Sequence, residues 1–263
     1  MHAFLPAFRR NEVFSMAGSA LRLPDSEYIA AVERAEELAS LRTRMEKKKS
    51  ILIFGPEGVG KTRLVLSFIE RYPFALYVSR AQSPREMMLA LVDDLRNLAN
   101  KNLRLPSDPK SLATSSLKGI VQRTLDQCPF LLVLDHLTGP SRVVTGIIKE
   151  FHYYGRTPLI LIARTPHMED IGALQPLCAD RSERLEIRNL SPAVALEFAA
   201  RQAENSGLWA SNLETALHAL VGWSEGNPGS ILQMVKMAHL SRYRLGDQIK
   251  AHVLWLDYRM GRR

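Results

Sequence analysis

The stretch GPEGVGKT, which begins at Gly55, has the residue types and the spacing that hold a polyphosphate. Gly55, Gly58 and Gly60 allow the backbone to turn its N–H groups towards phosphate oxygens. Lys61 adds a mobile positive charge for the β- and γ-phosphates, and Thr62 can place its hydroxyl on Mg²⁺ at the start of a helix. An apolar strand pattern precedes the stretch and a helical pattern follows it, which predicts a nucleotide-binding loop rather than a chance glycine-rich turn. The residues expected to contact the nucleotide are Gly55, Pro56, Glu57, Gly58, Val59, Gly60, Lys61, Thr62 and Arg63.

A second chemical feature is the run FLLVLD, which ends at Asp135. An apolar strand of a parallel sheet carries a terminal carboxylate to the sheet edge, where it can orient water on Mg²⁺. Asp135 could instead cap the turn that follows it. Together with the phosphate-binding loop, it predicts a Mg²⁺ site formed by Thr62 and Asp135.

Five short strand patterns alternate with helical patterns around these two features. The strand candidates are residues 50–55, 74–79, 130–135, 158–164 and 183–190. Several are apolar at successive positions, as expected when helices cover both faces of a parallel sheet. This alternation predicts a doubly wound α/β domain.

The pattern changes after residue 190, where strand-like runs stop and three helices are expected, at about 191–205, 211–222 and 228–241. Ser191, Pro192 and Glu197 form a good helix start. We therefore expect four segments: an N-terminal arm (1–27), an α/β core (28–190), a helical lid (191–241) and a basic C-terminal helix (242–263). In that last segment Ile249, Val253, Leu256 and Met260 fall at helical intervals, which predicts an amphipathic helix docked on the lid.

The composition is that of a soluble globular protein, with 46% hydrophobic and 24% charged residues among 263. The apolar runs are too short to cross a bilayer and no signal peptide is visible, so we expect a cytoplasmic protein without membrane contact. Cys128 and Cys178 lie beside apolar residues and are expected to be buried thiols. The net charge of +8 favours polyanionic or acidic partners.

GPEGVGKT followed by LLVLD resembles the paired phosphate- and magnesium-binding motifs of AAA+ and STAND-type P-loop ATPases. Three further stretches resemble the same families: VERAEELASL, PLILIARTP and SEGNPGSILQMV. The resemblance implies ATP and Mg²⁺ as cofactors and a five-stranded core with a helical lid. It also implies that Arg164 is a sensor for the γ-phosphate, unless it is only a charged strand end, and that Pro228 contacts the nucleotide. Gly229 stands where many AAA+ lids have an arginine, which favours the STAND-like side.

Two further features decide what chemistry the resemblance implies. Oligomeric members of these families use an arginine from a neighbouring subunit, and Arg181 and Arg184 lie in the corresponding window; the motif favours Arg181, and a solvated arginine is the alternative. His136 stands where the families place an acid that activates water. A neutral imidazole can accept a proton but has a different reach, so slow hydrolysis is expected.

Three functions remain open at this point. The first is an ATP-dependent regulator that forms a homo-oligomer, binds duplex DNA through its basic surface and signals to a partner protein. The second is a nucleotide switch that acts only through protein partners. A small-molecule kinase is the third, and it is disfavoured because no acceptor-binding loop is evident.

Overall fold

The computed structural model describes residues 34–47, 49–70, 72, 74–81, 83–98, 105–127 and 130–261. The expected N-terminal arm lies outside these residues. So do Cys128 and the two arginines that end the chain.

The core is a parallel sheet of five strands in the order β2-β3-β4-β1-β5. The strands are β1 (Ile51–Phe54), β2 (Ala75–Val78), β3 (Leu131–Leu137), β4 (Leu159–Ala163) and β5 (Arg184–Glu186). All five predicted strands are therefore present, and the predicted doubly wound α/β core is confirmed. Because β4 lies between β1 and β3, the loops after these three strands meet at one edge of the sheet.

Helices cover both faces of this sheet, as its apolar strands require. The helices of the core are α1 (Ala35–Glu46), α2 (Lys61–Ile69), α3 (Pro84–Leu98), α4 (Thr114–Gln127), α5 (Arg142–Tyr153) and α6 (Met168–Ile171). Successive strand residues point to opposite faces, so Ile51 and Ile53 pack with α1 and α2, whereas Leu52 packs with α3, α4 and α5. Burial on both faces explains why the strands have continuous apolar runs.

The lid is a separate helical unit with its own apolar core. It comprises α7 (Pro192–Asn205), α8 (Leu213–Trp223), α9 (Pro228–Met237), a two-stranded hairpin of β6 (Arg244–Leu245) and β7 (Gln248–Ile249), and α10 (Ala251–Met260). The three predicted lid helices are present. The hairpin was not predicted, because two residues per strand are too few to show an alternating pattern.

The C-terminal helix docks through a different face from the predicted one. Leu254 and Tyr258 are its buried residues, whereas Val253, Leu256 and Met260 are exposed. The helix also occupies only residues 251–260, after the hairpin. The prediction failed because apolar residues lie on two opposite faces of this helix, and the sequence alone does not show which face meets the lid.

Among the helices of the described residues, none combines the length and the apolar character that a membrane span needs.

Candidate functional site

The glycine-rich loop joins β1 to α2 at the edge of the sheet where β3 and β4 also end. Gly55, Gly58 and Gly60 all have positive φ angles, of 151°, 77° and 99°. A side chain at Gly55 would collide with the backbone oxygen of Ile187, which a Cβ would approach to 2.1 Å. A Cβ at Gly60, by contrast, would meet no other atom within 4 Å, so the loop is open at this residue.

Asp135 lies beside the start of α2, as the sequence predicted. Its carboxylate is only 1% exposed, and the Thr62 hydroxyl donates a hydrogen bond of 2.7 Å to its Oδ2 atom. The register between β3 and β4 shifts between Leu134 and Leu137, so strand pairing is irregular at Asp135. The two residues proposed for a metal are thus in direct contact although 73 positions separate them.

Lys61 begins α2 and folds back over the loop. Its ammonium donates hydrogen bonds of 2.8 Å to the backbone oxygens of Gly55 and Pro56. Partial burial lowers the pKa of Lys61, and the carboxylates of Asp135 and Glu57 oppose that shift. The ammonium is therefore held over the loop, where it can exchange backbone oxygens for phosphate oxygens.

His136 adopts an unusual backbone conformation beside Asp135. Its φ angle is 51°, in the left-handed region, and its backbone N–H donates to Asp135 Oδ1 at 2.6 Å. The imidazole is 59% exposed, with its Nδ1 atom 3.3 Å from the same oxygen. The ring thus lies at the open side of the site, next to the carboxylate.

A hydroxyl that the sequence did not indicate also reaches Asp135. Tyr77 of β2 donates a hydrogen bond of 2.7 Å to Asp135 Oδ2. Burial and this bond raise the pKa of Tyr77, so the phenol keeps its proton and acts as the donor. No local motif marks this tyrosine, because the contact depends on the pairing of β2 with β3.

The lid contacts the loop through the start of α9. The side-chain oxygen of Asn227 caps that helix by accepting from the Ser230 N–H at 3.1 Å. The side-chain amide of Asn227 donates to the backbone oxygen of Glu57 at 2.9 Å. The Gly229 N–H donates to the Gly58 oxygen at 2.9 Å, and a Cβ at Gly229 would approach the Gly58 Cα to 2.8 Å. The motif that resembled a family lid motif is therefore the point where lid and loop touch.

A cavity of about 150 Å³ lies between the loop and the lid. Pro228, which the sequence proposed as a nucleotide contact, lines this cavity together with Arg63. The other lining residues are Arg34, Gly58, Val59, Gly60, Leu64, Leu190, Phe198, Gly229 and Leu232. Its walls are mostly apolar, which suits the flat ring of a base next to the phosphate loop.

Arg34 is a second residue that sequence reasoning missed at this cavity. Its guanidinium is buried and donates to the backbone oxygens of Val59 at 3.1 Å and Arg188 at 2.6 Å, while pairing with Glu37 at 2.7 Å. Arg34 thereby ties the start of α1 to the loop and to the segment after β5. The resembling stretch VERAEELASL contained it, but gave no reason to single out the arginine.

The three arginines that were considered for the γ-phosphate differ in their contacts. Arg164 follows β4, its backbone oxygen accepts from the Gly55 N–H at 3.1 Å, and its side chain is exposed. Arg184 donates to the Cys178 oxygen at 2.9 Å within its own chain. The exposed side chain of Arg181 has no hydrogen bond or ion pair with any described residue.

These residues fit Mg²⁺ and a nucleoside triphosphate. A buried carboxylate in contact with a hydroxyl provides the oxygen ligands and water acceptors that Mg²⁺ prefers. The glycine loop and the Lys61 ammonium match the phosphates in shape and charge.

No protein-family model matches the sequence, and no curated protein sequence is significantly similar to it. Solved structures are similar in fold. The Orc1 protein of Aeropyrum pernix in complex with DNA aligns at 14% identity with a TM-score of 0.62, over 91% of this chain and 68% of that one. A Walker-type ATPase of Pyrococcus abyssi aligns at 18% identity with a TM-score of 0.61, over 87% and 72%. The chain has the fold of the AAA+ P-loop ATPases.

A third structure, Cdc6p from Pyrobaculum aerophilum, aligns at 13% identity with a TM-score of 0.56, over 82% of this chain. The alignment spans 63% of the Cdc6p chain, which is less than two thirds of its length. Such AAA+ neighbours have the same α/β core with a C-terminal helical domain as this chain.

Proposed function

We propose that this protein binds ATP with Mg²⁺ and uses the bound nucleotide to assemble and to signal to a partner protein, with slow hydrolysis. The observation that carries the proposal is the contact between Thr62 and Asp135 at 2.7 Å, next to a positive-φ glycine loop that is open at Gly60. An anionic group and a hydroxyl at the mouth of such a loop match a metal-bound triphosphate.

Each residue of the site has a proposed role. Lys61 would hold the β- and γ-phosphates, Thr62 and Asp135 would hold the metal and its water, and Arg164 would contact the γ-phosphate. Mg²⁺, when bound, would neutralise charge on the phosphates. The base would lie against Pro228 in the cavity between loop and lid.

Slow hydrolysis follows from His136. The left-handed backbone directs the imidazole to the open side of the site, and it cannot offer the two oxygens of a carboxylate to a water. The nucleotide state would then persist long enough to act as a signal through the lid contact at Glu57 and Asn227.

Assembly on duplex DNA is the part of the proposal that rests on charge and on similarity. The net charge of +8 favours contact with phosphate backbones. One structural neighbour is described in complex with DNA. In a homo-oligomer, Arg181 would extend from one subunit towards the nucleotide of the next.

Light scattering with and without ATP and duplex DNA, combined with an ATP turnover assay, tests this function. We expect ATP-dependent growth in mass, further growth with DNA, and loss of both on Lys61→Ala. Growth with ATP but no response to DNA at physiological salt would replace the DNA role by a switch that acts through proteins. A wild-type protein that binds no ATP would contradict the whole proposal.

A further inference from the structure

Tyr77 contacts the proposed ATP site through its hydroxyl group. Its hydroxyl lies 2.7 Å from Asp135 Oδ2, the same oxygen that accepts from Thr62 at 2.7 Å. The other oxygen, Oδ1, accepts from the His136 backbone N–H at 2.6 Å. Three donors therefore define the orientation of one carboxylate.

The tyrosine is itself held at both ends. It lies in β2, an edge strand, and its backbone N–H donates to the Asp94 carboxylate of α3 at 2.6 Å. In the register of β2 and β3, Tyr77 pairs with Val133, two residues before Asp135. The phenol thus extends along the sheet towards the end of β3, the neighbouring strand, and reaches the Asp135 carboxylate there.

From this arrangement we infer that Tyr77 is a positioning residue for the metal site, one that sets Asp135 for Mg²⁺ through its hydroxyl. The inference rests on the proposed function, because it assigns a partner to the carboxylate that would hold the metal. Groups that hydrogen-bond a metal-binding carboxylate fix its rotation, and their removal typically lowers metal affinity 10- to 100-fold.

The hydrogen bonds to Oδ2 explain why loss of the Tyr77 hydroxyl would weaken Mg²⁺ binding. Oδ2 has two lone-pair directions, and the two hydroxyls fill them, so Oδ1 is the oxygen that would hold the metal or its water. Without the Tyr77 hydroxyl, the carboxylate keeps two of its three donors, and its rotation about the Cβ–Cγ bond is less restricted. A less restricted carboxylate binds Mg²⁺ more weakly, while the phosphate loop remains unchanged.

The test is a Mg²⁺ titration of nucleotide binding, followed with a fluorescent ADP analogue. Tyr77→Phe removes only the hydroxyl and keeps the ring. Tyr72→Phe is the matched control, because Tyr72 is also half-buried and stacks on Phe68 at 5.9 Å, away from Asp135. Melting temperatures of all three proteins verify that the fold is kept.

We expect the Mg²⁺ concentration at half-saturation to rise about tenfold in Tyr77→Phe and to stay unchanged in Tyr72→Phe. In EDTA the three proteins should bind the analogue equally, because the loop and Lys61 are intact. A midpoint in Tyr77→Phe within twofold of the wild-type value, or below it, would overturn the inference while leaving the ATP site in place. A wild-type protein that binds no nucleotide, or binds it without regard to Mg²⁺, would instead overturn the proposed function and this inference with it.

Discussion

At the scale of single residues, Asp135 and His136 form a pair with different backbone requirements. Asp135 ends the regular part of β3 with a buried carboxylate, and His136 follows in the left-handed region at a φ of 51°. Left-handed backbone costs a non-glycine residue about 1 kcal/mol, and the N–H bond from His136 to the Asp135 carboxylate offsets part of that cost. The imidazole remains next to the carboxylate, with its Nδ1 atom 3.3 Å from Asp135 Oδ1.

His136→Glu tests whether the missing carboxylate limits hydrolysis. A Glu at this position supplies a general base next to Asp135, and we expect ATP turnover to rise about tenfold or more in a steady-state phosphate-release assay. His136→Gln is the control, since it has the shape of Glu without its basicity, and its turnover should stay low. Equal turnover in wild type and His136→Glu would place the limit elsewhere, with the arginine from a neighbouring subunit as the next candidate.

Asp94 gives the protein a pH-dependent stability. Burial raises the pKa of Asp94 to about 6, above the value near 3.9 in an unfolded chain. The folded state therefore favours the protonated form of Asp94. The contribution of this group to stability is greatest below pH 4 and is lost as the pH rises through 6. The amide of Asn can still accept the Tyr77 N–H without the cost of a buried charge.

We accordingly expect Asp94→Asn to be more stable than wild type at pH 7.5, by about 1–2 kcal/mol, and equally stable at pH 4, measured by urea unfolding. Asp247→Asn, at an exposed position in the turn of the lid hairpin, is the control and should change neither value by more than about 0.5 kcal/mol. Equal stability of wild type and Asp94→Asn at pH 7.5 would show that burial of the Asp94 carboxylate does not destabilise the fold.

At the scale of elements, the lid and the phosphate loop meet at the first turn of α9. Asn227 is 7% exposed and bonds to Glu57 and Ser230, and Gly229 packs on Gly58 without room for a side chain. The lid is thus linked to the loop through two backbone groups of the loop, and bound nucleotide would be coupled to the lid through them. Tyr258 of α10 extends this connection by donating to the Ser230 hydroxyl at 2.8 Å.

Asn227→Ala should loosen this coupling. We expect ATP affinity to fall about fivefold, which corresponds to the loss of roughly 1 kcal/mol of net hydrogen bonding, as measured by isothermal titration calorimetry. Asn212→Ala is the matched control, because Asn212 bonds to both backbone groups of Ile249, at 3.0 and 2.8 Å, within the lid alone. It should lower lid stability without changing ATP affinity; an equal loss of affinity in both variants would mean that only lid stability matters.

The same elements show how far the sequence could lead. The five strands and three lid helices followed from apolar runs and cap residues, because those signals are local. The side of α10 that faces the lid did not, since apolar residues lie on both sides of that helix. Tyr77 and Arg34 were missed because their roles come from contacts 58 and 25 residues away in the sequence, which no local pattern encodes.

At the scale of the whole molecule, Arg181 lies on an exposed turn that contacts α1 and the segment before β1. Lys49 pairs with Glu183 at 3.3 Å, and the Arg44 guanidinium donates to the Ser182 oxygen. Asp180 and Glu183 form a capping box around the turn. Because Arg181 is exposed, its guanidinium would be accessible to a neighbouring subunit in the proposed oligomer.

Arg181→Ala should therefore separate catalysis from binding. We expect turnover of the assembled protein to fall at least tenfold, since an arginine supplied by a neighbour stabilises transition-state charge, while ATP affinity and assembly mass stay unchanged. Arg123→Ala, on the exposed side of α4, is the control and should leave turnover unaltered. Unchanged turnover in Arg181→Ala would show that this arginine is only a solvated side chain.

The most direct measurement of the central claim is ATP binding by isothermal titration calorimetry with and without Mg²⁺, in wild type, Lys61→Ala and Asp135→Asn. The site predicts binding by wild type that Mg²⁺ strengthens, a loss of at least tenfold in Lys61→Ala under both conditions, and binding by Asp135→Asn that Mg²⁺ no longer strengthens. ATP affinity that is the same in all three proteins, or no binding by wild type, would contradict the assignment of these residues to a Mg²⁺-ATP site.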